Sequence, residues 1–426
     1  MSDDDDVQVH DEEEQQRYEA HLDGRLAGVA QYRRRDGSTV FTHTEVDDDF
    51  EGRGVGSSLI RAALDDVRAR GETMAPLCPF VAAFVERHSE YADLVDHELY
   101  DALRARSGGG ARAASTSWPE LPWSDWSDTL ETLHLWTQVV GKIRLVNSPW
   151  INHSWSVPLY LSTRGLRTSL VPYGDEGFEL AFDLIGHRLE LSTTTGELRT
   201  LELEPMAVAA FHERVLAMMA DVGMPVRIHR VPSELPDALP FDEDTVHASY
   251  DRGHVEQLWR ALLQAGRVMT RFRAGFLGKA SPVHLFWGAF DLATTRFSGR
   301  TAPPHAGGMP NFPDDVAREA YSHEVTSVGL WLGNREAPAP VFYAYAYPTP
   351  DGFPAAEVHP SEAMWLDELG EFVLPYDVVA AAEQPDELLM SFFESTHAAA
   401  ADLAGWERGD LECAHPQGPD WWAQRP

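Results

Sequence analysis

Lysine is nearly missing from this chain. Of 34 basic residues among 426, only Lys142 and Lys279 are lysines, and the others are arginine. A GC-rich codon bias and an acid-coated, salt-adapted surface both account for that scarcity. Positive charge as a whole is scarce too, and the formal net charge is −34. That excludes the broad basic footprint by which nucleic acid or an anionic membrane is held. Cysteine occurs only at Cys78 and Cys413, without metal-type spacing, so neither a disulfide framework nor a zinc signature is expected. No run of 18 apolar residues exists, so no membrane-spanning helix is expected. The N-terminus, MSDDDDVQVHDEEE, is the opposite of a secretory or transit peptide. A cytoplasmic protein with free thiols fits these absences.

What the chain does hold is 43% hydrophobic residues, enough at this length for two or three domains. A composition break at 107–117, SGGGARAASTS, reads as a flexible linker. It sets a domain over 1–106 apart from one over 118–412, with a loose tail at 413–426. In the first piece RYEAHLD alternates in the strand manner. Asp23-Gly24 and Asp36-Gly37 are hairpin turn signals, and STVFTHTEV is a β-branched strand. VQVH adds an acidic first strand. SSLIRAALDDVRARG keeps a helical apolar stripe that Gly71 stops, TMAPLC is strand-like, and PFVAAFVERH begins a helix at Pro79. The expected order is β-β-β-α-β-α.

The large piece is aromatic and α+β. Helices are expected at 128–142, 205–221, 254–274 and 383–404. Strands are expected at 155–163, 177–184, 187–193, 284–296, 325–333 and 341–347. Without βαβ alternation the sheet should be mostly antiparallel. A weak repeat runs through this piece. Gly141-Lys142, Ser148-Pro149, His153, Trp155 and Thr163-Arg164 are echoed by Gly278-Lys279, Ser281-Pro282, His284, Trp287 and Thr295-Arg296. Both lysines fall in the Gly-Lys slot. Two explanations stay open: an internal duplication with halves 118–240 and 241–412, and chance similarity among tryptophan-rich strands.

The stretch EGRGVGSSLI at 51–60 packs three glycines into five residues and then turns apolar with helical spacing. Free backbone N–H groups at a helix start bind anions, and glycines let successive N–H groups point inward. It is neither a dinucleotide fingerprint nor a Walker loop, since no Gly-Lys-Ser/Thr follows. The succession of strand, Gly-x-Gly-x-Gly, helix, strand and helix resembles the acetyl-CoA site of the GNAT superfamily of N-acetyltransferases. YEAHLDGRLAGVAQYR, HTEV, GRGVGSSLI, CPFV and HSEYADLV together resemble its small single-domain branch, over about 7–95. The resemblance implies a GNAT-like mixed sheet with flanking helices. It implies that Gly52, Arg53, Gly54, Val55, Gly56 and Ser57 hold the CoA pyrophosphate through their backbone. It also implies that the strand carrying Thr44 and Val46 bonds the pantetheine arm. Glu51 stands where the family has Gln or Arg, and Asp47 where the branch has Pro.

An amine must lose a proton before it attacks a thioester, and the oxyanion needs N–H donors. His43 and Glu45 alternate with Thr44 and share one strand face, so either is a candidate base; a packed histidine and a solvated glutamate is the plainer account. Cys78, before a helix N-terminus, is either an acyl-accepting nucleophile or a small residue beside the pantetheine arm. The acidic run Asp47, Asp48, Asp49 and Glu51 would attract a cationic acceptor, or is merely solvated. The acceptor itself, a small molecule or a protein amine, is not specified.

The large piece carries no nucleophile elbow, zinc signature, P-loop or kinase set. His284, His305, His323 and Glu324 do not have metal-site spacing, and no metal is expected. Lys142, Trp155, Arg164, Lys279, Trp287 and Arg296 are candidates to line one pocket, aromatics stacking and arginines holding an anion. Core tryptophans with salt-bridged arginines are the alternative. A lysine retained where arginine is the default points to a need for its compact ammonium. Residues 118–412 resemble an uncharacterised bacterial family of unknown function, through LHLWTQVVGKIRL, SPVHLFWGAFDLATTRFSGR and REAYSHEV. The combined expectation is an acetyl-CoA-dependent N-acetyltransferase tethered to a larger domain that supplies acceptor specificity. Two alternatives stand beside it: a non-catalytic acetyl-CoA sensor, and a large domain that is itself a hydrolase or transferase.

Overall fold

The computed structural model describes residues 7–22, 24–35, 37–46, 50, 53–76, 78–96, 99 and 118–413, without the side chains of 14, 35, 45, 79, 82, 83, 86 and 89. The expected linker, the tail beyond 413, and Asp47, Asp48, Asp49, Glu51 and Gly52 lie outside the described residues. The chain divides into two compact units, 1–115 and 116–426.

The first unit is a five-stranded mixed sheet in the order β1-β2-β3-β4-β5. Its strands are β1 (Gln8–Glu12), β2 (Arg17–Leu22), β3 (Arg25–Arg35), β4 (Ser38–Val46) and β5 (Thr73–Pro76). Gly24 and Gly37 take positive φ, 76° and 83°, at the two hairpin turns. Among the named strands β4 and β5 alone run parallel, and helix α1 (Val55–Ala69) makes their crossover. Its stripe of Leu59, Ile60, Ala63, Leu64 and Val67 is fully buried against Tyr18, Ala20, Ala30 and Phe41 of the sheet. Helix α2 (Pro79–Arg87) adds Val81 and Phe84 to that core. The acidic strand β1 is tied down by arginines. Arg34 and Arg70 both donate to Asp11 Oδ2, each at 2.8 Å, and Tyr32 donates to Asp11 Oδ1.

The second unit is α+β with two six-stranded sheets. A long helix α3 (Trp123–Asn147) precedes the first, built from β6 (Tyr160–Leu161), β7 (Gly165–Arg167), β8 (Val171–Tyr173), β9 (Glu176–Asp183), β10 (Arg188–Thr193) and β11 (Leu198–Glu202). Helix α4 (Val208–Asp221) follows. A second long helix, α5 (Arg252–Ala274), precedes β12 (His284–Phe286), β13 (Asp291–Thr301), α6 (Asp314–Ala320), β14 (His323–Trp331), β15 (Val341–Tyr347), β16 (Met364–Leu366) and β17 (Glu371–Pro375). Helices α7 (Tyr376–Ala381), α8 (Pro385–Leu403) and α9 (Arg408–Leu411) close the unit. All described pairings in the two sheets are antiparallel.

The two sheets meet where Leu159 and Leu285 exchange backbone hydrogen bonds of 2.9 and 2.8 Å. An antiparallel pair of this kind is its own twofold partner. Each half then runs long helix, short strand, antiparallel meander, helix. β7 and β13 begin the same number of residues beyond Leu159 and Leu285. The phase differs from the sequence repeat, which set Trp155 against Trp287; around this pair Trp287 corresponds to Leu161.

Two expected strands come out differently. Within 155–163 only Tyr160–Leu161 is strand, because His153 and Ser154 take left-handed φ (59° and 58°) and turn the chain before Trp155. The stretch 284–296 is a hairpin rather than one strand, with Phe290 left-handed at the bend. Short elements without a full period, β7, β8, β11, β16, β17, α6 and α7, were beyond the sequence pattern.

Gly141 lies in α3 where the indole of Trp287 passes, and a Cβ there would come within 2.3 Å of the ring. Trp287 in turn donates to Val157 O at 2.8 Å, so the glycine admits the side chain that locks the junction. Gly141→Ala is expected to lower stability by about 1–3 kcal/mol through overpacking. Chemical denaturation followed by circular dichroism measures it, and an unchanged midpoint would remove this role.

Candidate functional site

In the first unit, β4 and β5 pair from Ser38–Thr73 to Phe41–Pro76, and Cys78 N–H adds a last bond to Phe41 O at 2.9 Å. β4 runs on to Val46 with β3 as its described partner, so among the described residues no strand pairs with the β5 side of Thr42–Val46. A bulge at Thr42, opposite Gln31 and Tyr32, bends β4 at the point of parting.

The start of α1 lies beside that opening. Gly54 is its N-cap, left-handed at φ 77° and ψ 2°, with no side chain capping the first turn. The first-turn N–H groups of Val55, Gly56 and Ser57 have no intrahelical acceptor, and Ser58 N–H is the first bonded, to Gly54 O at 3.0 Å. The two glycines are glycine for different reasons. Gly54 needs the positive φ, and the space where its Cβ would lie is empty. Gly56 is glycine for packing: a Cβ there would lie 2.8 Å from Phe80 and 3.3 Å from Val46. Arg53 bonds back to Phe50 O, 3.3 Å away, closing the described part of the loop.

Cys78 is buried at the N-cap of α2, and its Sγ lies 3.3 Å from Thr44 Oγ1. His43 is exposed, on the other face of β4 from Thr44. Thr44 and Cys78 are thus gathered at the opening and His43 is not with them; the side chain of Glu45 lies outside the described residues. Cys78 and Cys413 are both free thiols.

In the second unit the six candidates separate into three places. Trp155 and Trp287 line one cavity of about 480 Å³. The lysines stand at its margins. Lys142 is buried, donating to Val231 O and Ser233 Oγ, both at 2.9 Å, and burial pulls it down to about 8. Lys279 Nζ meets His153 Nε2 at 2.6 Å, above the rings of Trp155 and Phe297. The arginines are elsewhere. Arg164 pairs with Asp183 at 2.8 Å on the first sheet, and Arg296 lies flat on Phe272, bonding its carbonyl. Neither lines the cavity of the tryptophans.

The histidines named above are placed structurally. His284 sits among Tyr160 and Phe286, where burial pulls it down to about 3. His305 stacks on Tyr321, and Glu324 pairs with Arg300 at 2.7 Å. Among the described residues no three His, Cys, Asp or Glu side chains are grouped as metal ligands.

Sequence reasoning missed the acids of the cavity. Alternate residues of β13, β14, β15 and β17 face it, Asp291, Thr295, Ser327, Tyr343, Tyr345 and Glu371 among them, and Glu234 comes from a loop. Burial pushes Asp291 up to about 6, against the bond it accepts from Tyr343. Burial, then the charge of Asp291, pushes Glu371 up to about 7. Glu234 is pushed to about 7 by the same two causes, with Lys142 opposing. The three lie far apart in a chain with 68 acidic residues, and the sheet register together with the loop at Ser233 brings them to one cavity.

No curated protein matches the chain. Family models match twice. Residues 17–94 match the GCN5-related N-acetyltransferase family, a range that takes in the glycine loop and β4. Residues 118–413 match a family of unknown function, DUF5996. Since that second match spans more than half of the sequence, the chain belongs to the DUF5996 family and carries a GCN5-related N-acetyltransferase domain ahead of it.

Proposed function

We propose that the N-terminal domain is an acetyl-CoA-dependent N-acetyltransferase acting on an amine. The observation that carries this is the coincidence of an uncapped helix start with the open edge of β4. Anionic phosphate suits the first turn of α1, where among the described residues the N–H groups of 55–57 have no acceptor and nothing meets the Cβ position of Gly54. An extended amide-bearing arm suits the edge of Thr42–Val46, which offers backbone donors and acceptors in strand spacing. Acetyl-CoA would bring a thioester whose carbonyl carbon is attacked by the amine nitrogen. The amine gives up a proton, and the CoA sulfur leaves and takes one up.

The chain's own part is to orient that arm, to meet oxyanion charge with backbone N–H groups, and to accept the amine proton. His43, on the face of β4 away from Cys78, is proposed to accept that proton through water, and Glu45 is the second proposed acceptor. Cys78 is proposed as a wall of the slot. Its sulfur has a threonine hydroxyl beside it where a thiol nucleophile would call for a base.

Titration calorimetry of the full chain with acetyl-CoA tests the donor, and thiol release over primary amines such as phenethylamine and spermidine tests turnover. Gly54→Val, forcing a β-branched residue to positive φ, is expected to weaken acetyl-CoA binding about tenfold or more. Cys78→Ala is expected to keep thiol release within about tenfold of the parent. A hundredfold loss with acetyl-CoA affinity intact would instead make Cys78 the nucleophile. Absence of acetyl-CoA binding by the full chain would sink the proposal.

A further inference from the structure

The cavity of the second domain has a polarity that its fold does not require. Its floor is one face of the second sheet, and the opposite face of β13 and β14 packs on α5 and α8. Strand positions on an inward sheet face of this kind are filled by apolar residues when stability alone decides. Here Asp291 and Glu371 occupy them, and Glu234 is brought in from outside. Among the described residues none of the three makes an ion pair, and the nearest cation, Lys142, is spent on Val231 and Ser233. A buried Asp291 beside two half-buried glutamates, without a cation, costs stability, and such groups concentrate where something binds.

The loop that delivers Glu234 is built to do so. Gln138 of α3 grips Ser233 twice, accepting from its N–H at 2.7 Å and donating to its carbonyl at 3.0 Å. Lys142, one turn along the same helix, holds Ser233 Oγ and Val231 O. Glu234 itself takes left-handed φ, 61°. Gly288 makes room for it, since a Cβ there would fall 1.8 Å from Glu234 Oε1. On β14, Gly329 likewise lets the Tyr343 ring lie flat, 2.3 Å from where a Cβ would be, so that its hydroxyl reaches Asp291.

The remaining walls are aromatic: Trp155, Trp287, Trp331, Phe297, Tyr321 and Tyr345. At the margin opposite the acids, His153 Nδ1 donates to Ala320 O and its Nε2 faces Lys279. Beside it the buried Ser154 Oγ borders the cavity without a hydrogen-bond partner. A volume of about 480 Å³ is in the range of small-molecule pockets.

We propose that this cavity binds an organic cation, a protonated or quaternary amine carried on an apolar body. The ammonium sits at Glu234, Asp291 and Glu371, and the body lies against the tryptophan and tyrosine faces, which attract cations as well as apolar surface. The proposal stands apart from the acetyl-CoA reading, because it concerns the other domain.

The test uses the full chain and three probes of one shape: phenethylamine, 2-phenylethanol and 3-phenylpropionate. Calorimetry and quenching of tryptophan fluorescence read binding. Phenethylamine is expected to bind about tenfold or more tightly than the alcohol, and the carboxylate least well. Glu234→Gln and Glu371→Gln should each weaken phenethylamine about tenfold without lowering Tm. The groups facing the acid end are the three carboxyls with Tyr321, Tyr343 and Tyr345, and Lys142 stands behind Glu234. Raised carboxyls ionise with rising pH, so affinity should climb between pH 6 and 8, with protons released on binding.

Stability gives a second arm. A carboxyl raised in the folded state destabilises as it ionises, so Glu371→Gln should raise Tm at pH 8 and leave it unchanged near pH 4.5. Equal affinity for phenethylamine and the alcohol would overturn the proposal. So would preference for the carboxylate, or no response to phenethylamine, benzyltrimethylammonium and spermidine at about 10 mM.

Discussion

The second domain hangs on one pair of backbone hydrogen bonds, those exchanged by Leu159 and Leu285. They join two sheets that would each otherwise end in a short open strand. The surrounding contacts all serve that join. Arg144 reaches from α3 to the carbonyls of Ser156 and Pro158, Trp287 closes on Val157, and Gly141 leaves the gap that Trp287 fills. A buried guanidinium capping carbonyls satisfies groups that a sheet junction leaves without ladder partners. The cavity lies at this seam, and Val157, Trp155 and Trp287 belong to both. Its shape is therefore fixed by the junction rather than by loops alone.

How far the sequence could be read depended on whether a feature was local. The N-terminal domain was legible because each piece is contiguous: a β-branched strand, a glycine loop, an amphipathic helix and a Cys-Pro helix start. Long periodic helices in the second domain were legible for the same reason, α5 to within two residues and α3 in its central part, the helix extending five residues further at each end. The short strands β7 and β8 carry no full period and were not. The acids were invisible for a different reason. Asp291, Glu371 and Glu234 each look like one more solvated acid in a very acidic chain. The scarcity of lysine was the one compositional signal that led toward them, since Lys142 turns out to hold the loop next to Glu234.

Glycine shows how one letter hides several physical causes. Gly54 answers to a backbone angle, Gly56 to the approach of Phe80, Gly141 to an indole and Gly288 to a carboxylate. A motif of the form Gly-x-Gly reports none of these separately. In the N-terminal loop, Gly54 opens the helix start to solvent while Gly56 seats the helix against β4 and α2. The same two letters therefore do unlike jobs, one facing outward and one inward.

Counted six residues on from Leu159 and from Leu285, Gly165 opens β7 and Asp291 opens β13. A side chain at Gly165 would strike Phe182 O, 2.0 Å from its Cβ. The first half thus has no room for an acid where the second half keeps one. Near-symmetry of the scaffold does not extend to its contents: the acid-lined chamber is built on the face of the second sheet.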